Sequence, residues 1–192
     1  MKKQNRVAFF NILSTLLLKG ISIFTAPLFS RLLGTSGYGV TSIYSNMTGG
    51  IAIAFPLQTQ GTLVNARVEY PEEVQNRYQS SVMMLSMLCF GAFSAILLLF
   101  RDPFCQFFKM DHTLVWLMLL QAFGTFCVSF LNTKFVYEMK AGWNMIISLG
   151  VNLTTLVLSV VLILAFPAET NYYGRILAIS LTFGVIGIPS CI

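Results

Sequence analysis

The chain has 192 residues, 56% of them hydrophobic and 10% charged, with a formal net charge of +5 and a mean hydropathy of +0.75. Soluble domains carry about 25% charged residues, so so few charges cannot cover a water-soluble globule of this size. The positive balance is spread along the chain and forms no basic–aromatic stripe, which argues against a nucleic-acid partner.

The apolar residues fall in six blocks, 7–29, 38–63, 80–100, 113–133, 142–166 and 173–192. Each is near the roughly 20 residues that a helix needs to cross a hydrocarbon core. None shows the ~10-residue alternating rhythm of outer-membrane strands, and only helices or closed barrels satisfy their backbone groups in lipid. The expected fold class is therefore an all-α membrane protein, with six transmembrane helices forming a single bundle over residues 1–192.

At the N-terminus, MKKQNR followed by VAFFNILSTLLL imitates a signal peptide. Lys19 interrupts the apolar stretch and no A-x-A-like cleavage site follows, so the segment reads as an uncleaved first helix. Within it Asn11, Thr15, Lys19 and Ser22 are spaced 4, 4 and 3 and share one face. Lys19 lies about 12 residues into the block, ~18 Å along the axis. A cation at that depth costs about 2.5–3.5 kcal/mol on insertion scales, and no acidic residue lies at matching depth in any block. An anionic partner from outside the chain is the natural candidate for it.

The stretch APLFSRLLGTSGYG, residues 26–39, breaks the apolar run. Pro27 sits near the end of the first helix, and Gly34, Gly37 and Gly39 allow a tight turn. In the second block Ser42, Asn46, Gly49, Pro56 and Gln60 share a face, and Pro56 is placed to bend the helix. The 64–79 segment reads as a solvated connector. The third and fourth blocks carry no polar stripe and are expected to turn apolar faces to lipid. In the fifth, Asn144, Ser148, Asn152, Thr155 and Ser159 line one face. Two readings of these stripes stand side by side: seams where small polar residues let helices pack, or walls of a shared polar cleft.

No enzyme motif is present: no nucleophile elbow, P-loop, HExxH or intramembrane carboxylate pair. Cys89, Cys105, Cys127 and Cys191 lack metal-ligand spacing, and His112, beside Asp111, reads as a solvated loop residue. A non-enzymatic protein without metal or cofactor is expected. With the N-terminus in the cytoplasm, Lys2, Lys3, Arg6, Arg67, Arg77, Lys134 and Lys140 lie inside, while Arg31, Arg101, Lys109 and Arg175 lie outside. This asymmetry favours a cell-membrane protein with both termini cytoplasmic.

The run NILSTLLLKGISIFTAPLFSRLLGTSGYGVTSIYSN resembles the first two helices of polysaccharide-type flippases of the multidrug/oligosaccharidyl-lipid/polysaccharide exporter superfamily. These proteins transport O-antigen, capsule and exopolysaccharide repeat units. The features carrying the resemblance are Asn11, Pro27, Arg31 to Gly34 and Gly37 to Gly39, and YYGRI at 172–176 looks like the start of the family's sixth helix. The resemblance implies one lobe of a two-lobed transporter, here an N-terminal half without its second bundle. It implies outward export of an undecaprenyl-pyrophosphate-linked oligosaccharide across the lipid bilayer by alternating access, with cation coupling. Lys19 would meet the pyrophosphate and Arg175 would stand near the outer mouth. Asn11, Asn46, Gln60 and Asn152 are the polar candidates for substrate contact. The missing half or a polysaccharide polymerase is the implied protein partner. The rival readings are a multidrug extruder of the same superfamily, a non-transporting membrane scaffold, and an inactive truncated fragment.

Overall fold

The computed structural model describes residues 3–57, 59–62, 71–108, 110–138, 140–167 and 170–187. Among them there are six α-helices and no strand: α1 (Lys3–Ala54), α2 (Glu72–Leu99), α3 (Arg101–Phe108), α4 (His112–Tyr137), α5 (Ala141–Ala165) and α6 (Asn171–Gly187). A 3-10 turn, Thr59–Gly61, follows α1. Four of these helices are long and apolar enough to cross a membrane, over Phe9–Ala54, Val74–Leu99, His112–Val136 and Gly142–Ala165. Arg67, Lys109 and the 188–192 end of the sixth expected span lie outside the described residues, as does the Gln60 side chain.

The first two expected spans are the two arms of α1. The helix continues through Pro27 and is interrupted only at Gly34, whose φ of 68° and ψ of 174° are non-helical. That conformation suits glycine, which has no Cβ to clash. The break therefore lies inside the RLLG run and consists of one residue where the sequence suggested a glycine-rich turn. The second arm ends at Ala54, before Pro56, so Pro56 terminates the helix where a bend was expected. A proline donates no backbone N–H and pushes the residue before it out of the α region. Pro56 is buried in the turn that follows.

The segment after α2 is also more ordered than the sequence suggested. RDPFCQFF forms the short helix α3 in place of a loop, with Pro103 in its first turn, where a missing N–H is harmless. Phe104 and Cys105 turn toward the bundle, and Phe107 remains exposed.

The centre of the bundle is α4, against expectation. Leu114, Val115, Met118, Ala122, Phe126 and Cys127 on it are all buried. It packs on α6, α1 and α5, and α2 rests on it through Val82, Phe90, Phe123 and Phe126. Most of α2 remains exposed, as an apolar face turned to lipid requires. The α4–α6 contact depends on bare backbone. A Cβ on Gly124 would come within 2.2 Å of the Phe183 carbonyl oxygen, and one on Gly187 within 2.5 Å of the Gly124 carbonyl oxygen. In lipid, close approach through small residues is what drives helices together. Those residues, more than hydrophobicity, make α4 the core.

Polar side chains tie the same helices together inside the bundle. The buried Ser180 hydroxyl on α6 donates to Gln121 Oε1 on α4 at 3.4 Å. Tyr44 of α1 lies 3.0 Å from the same Ser180 oxygen. Since a serine hydroxyl has one proton, Tyr44 is the donor in that pair.

Candidate functional site

The first turn of α6 is fixed from several sides. Gly174 lets it approach α5 so closely that a Cβ there would sit 2.7 Å from the Leu162 carbonyl oxygen. The Tyr173 hydroxyl donates to the carboxylate of Asp111, just ahead of α4. Asp111 occupies the N-cap position but makes no side-chain capping bond. The Asn171 amide donates to the Leu32 carbonyl of α1 at 3.1 Å. The bend at Gly34 frees carbonyls of the preceding turn, and this amide satisfies one of them.

Arg175 follows one turn after Asn171 and so lies on the same face of α6. Its guanidinium carbon sits 3.9 Å from the centroid of the Phe29 ring and 5.7 Å from that of Tyr38. Phe29 belongs to the first arm of α1 and Tyr38 to the second, so the bend at Gly34 brings two rings to one cation. No carboxylate pairs with Arg175 among the described residues. Its Nη1 is buried and has no hydrogen-bond partner. An unpaired buried donor is costly.

A cleft of about 120 Å³ opens in front of Arg175 between α1, α5 and α6. Ser22, Thr25 and Phe29 line it from α1, and Asn152, Thr155 and Ser159 from α5. Three of its hydroxyls donate to the carbonyl groups of their own helices. Ser22 bonds to Leu18 at 3.0 Å, Thr25 to Ser22 at 3.1 Å and Thr155 to Val151 at 2.7 Å. Asn152 gives one N–H to Ser148 at 2.8 Å. The hydroxyl protons are thus committed inward and oxygen lone pairs are left over. The cleft offers one cationic, donor-only group beside several acceptors. That combination suits a ligand carrying both an anionic group and hydroxyl groups.

Of the candidates drawn from the sequence, Asn152 and Arg175 come together in this cleft. Lys19 is exposed on the first arm and makes no ion pair among the described residues. It precedes Ser22 by one turn and Phe29 by ten residues, about 15 Å along the helix. Asn11 is half-buried in the same arm, outside the cleft lining. Asn46 is exposed and lies well round the helix from the buried Thr41–Tyr44–Thr48 face. Phe29 and Asn171 were not singled out from the sequence, and Tyr38 entered only inside the Gly37 to Gly39 motif. The only hint was their position: Phe29 and Tyr38 flank RLLG, and Asn171 precedes YYGRI.

No group of three or more His, Cys, Asp or Glu side chains placed to hold a metal ion occurs among the described residues. No curated protein and no solved structure matches the chain. A family model described as "Polysaccharide biosynthesis protein" matches residues 6–192, nearly the entire sequence. With its membrane-length helices, the chain belongs to the polysaccharide biosynthesis protein family and is a membrane protein of that family.

Proposed function

We propose that the chain forms a lobe of a flippase that exports lipid-linked oligosaccharide repeat units across the cell membrane for surface polysaccharide synthesis. In this reading it catalyses no covalent chemistry and works by alternating access. The two arms of α1 cross separately, and with α2, α4, α5 and α6 they make six crossings. Both termini lie in the cytoplasm, as the cation asymmetry favours, and Arg175 stands in the outer half of the bundle.

The observation that carries the reading is Arg175 in the cleft lining, a cation whose buried Nη1 has no hydrogen-bond partner, beside hydroxyl lone pairs. A lipid-linked glycan supplies the matching groups, phosphoryl oxygens for the guanidinium and sugar hydroxyls for the acceptors. Arginine binds phosphate through a planar fork of donors. Lys19, deeper in the first arm and also without a carboxylate partner, would offer the same headgroup a second cation along its path. A cationic drug would instead call for an acid in the cleft, and none of its lining residues is one. The undecaprenyl-pyrophosphate carrier, a second lobe and a polysaccharide polymerase are the partners this function requires.

Gene disruption tests the reading. Cells lacking the protein are expected to lose surface polysaccharide and to retain lipid-linked repeat units on the cytoplasmic leaflet. Normal surface polysaccharide without such retention would contradict it.

A further inference from the structure

Asn171 and Arg175 lie four residues apart on α6 and both reach the bend of α1. Asn171 donates to the Leu32 carbonyl, two residues before Gly34. Arg175 lies between Phe29, before the bend, and Tyr38, after it. Gly37, next to Tyr38, lies close to Asn171: a Cβ there would sit 3.5 Å from Asn171 Oδ1, an ordinary van der Waals distance. Phe29, Leu33 and Ile163 form a buried cluster, with Tyr38 and Tyr172 packed against it.

We propose that Asn171 is a positioning residue for the Arg175 cleft: by holding the α1 bend at Leu32, it sets the gap between Phe29 and Tyr38 in which the guanidinium is oriented. This rests on the reading of the cleft as an anion site. A ring stacked on the guanidinium face covers only that face, and the N–H edges in the plane remain available to an anion. The direction of those edges then depends on where the two rings stand. Because one ring comes from each arm, the bend angle fixes that direction. Gly34 by itself leaves the angle loose, since glycine tolerates a wide range of φ and ψ. The Asn171–Leu32 bond is a polar contact that ties α6 to the bend.

Coupling of this kind is reciprocal. If the bend orients Arg175 for an anion, an anion bound by Arg175 steadies the bend. Loss of Asn171 is therefore expected to weaken anion binding, and a saturating anion is expected to restore order at the bend. Loss of Arg175 removes binding and restoration together.

The test uses the full chain in nanodiscs, inorganic pyrophosphate as the probe, calorimetric affinity, and amide hydrogen exchange across residues 30–40. The parent is expected to bind pyrophosphate and to gain protection at the bend. Asn171→Ala is expected to bind about fivefold or more weakly, the scale of one lost hydrogen bond. Its bend should exchange faster without pyrophosphate and recover protection at saturation, which a merely destabilised protein would not do. Asn171→Ser, milder because serine is favoured at helix starts, is expected to show the same loss should the alanine variant fail to fold. Arg175→Met is expected to show no pyrophosphate-dependent protection. If the Asn171 variants bind within twofold of the parent, the positioning role is overturned while the anion site stands. If the parent itself does not bind, the anion reading fails and the positioning role fails with it.

Discussion

The guanidinium carbon of Arg175 lies 3.9 Å from the centroid of the Phe29 ring, although the two residues are 146 positions apart in the sequence. The ring covers one face of the cation, and the buried Nη1 has no hydrogen-bond partner. Lysine cannot reproduce this, because an ammonium has neither a flat face nor a fork of donors. Arg175→Lys is therefore expected to lower pyrophosphate affinity by at least about tenfold, which is ~1.4 kcal/mol. Phe29→Leu, which keeps apolar bulk, is expected to lower it less, by ~0.5–1 kcal/mol, the lower part of the range for a cation–π contact. Titration calorimetry decides, and equal affinity of Arg175→Lys and the parent would remove the guanidinium from the account.

Gly34 holds the bend at φ 68°. A Cβ placed there meets no neighbouring atom, so any cost of Gly34→Ala is backbone strain alone. That strain is about 1–3 kcal/mol, because φ 68° with ψ 174° is a conformation essentially reserved to glycine. The variant is expected to unfold at a lower temperature than the parent, by an amount consistent with that range. A midpoint unchanged from the parent's would mean that the break does not need a left-handed residue.

Ser180 joins Tyr44 to Gln121 inside the bundle. Ser180→Ala leaves two buried groups without their partner and is expected to cost about 1–3 kcal/mol. Tyr44→Phe removes one donor and its hydrogen bond, and is expected to cost about 1 kcal/mol. In a double-mutant cycle the two losses should not add, because they share one contact. Additive losses would show that the hydroxyl groups do not interact.

The proposed topology places Thr35, beside the bend, on the outer face. A cysteine introduced at Thr35 is expected to react with a membrane-impermeant maleimide added to intact cells. Labelling only after the cytoplasmic side is opened would invert the orientation and put Arg175 in the inner half.

How far the sequence alone reached follows from these same residues. Long apolar blocks are a direct statement about lipid, so the helical class was legible, and four helices of membrane-crossing length lie on the first five expected blocks. The RLLG break was legible because glycine is the residue for which φ 68° is cheap. Asn152 and Arg175 stood out as polar groups in apolar blocks. The identity of the core helix was not legible, because in lipid a buried helix face and an exposed one are both apolar. The sign of burial in α4 was the small residue Gly124 facing Gly187 of α6. Gln121 was passed over because it makes no stripe, although one amide in a greasy helix needs a partner as much as a row of them does. The ring walls of the Arg175 site were invisible because they join residues on two arms of a bent helix to a third helix far along the chain.

In the proposed function Arg175 receives the anionic part of an exported lipid-linked glycan, with Lys19 as a second cation on the route. The most direct measurement replaces the parent gene by Arg175→Met or Lys19→Met and quantifies surface polysaccharide together with lipid-linked repeat units on the cytoplasmic leaflet. Removing a cation from an apolar setting spares its desolvation cost, so both proteins are expected in the membrane at parental amounts or above. The account predicts that Arg175→Met abolishes surface polysaccharide and retains the lipid-linked units inside, that Lys19→Met does the same, and that Lys19→Arg keeps part of the transport. Parental polysaccharide levels in cells carrying Arg175→Met would contradict it.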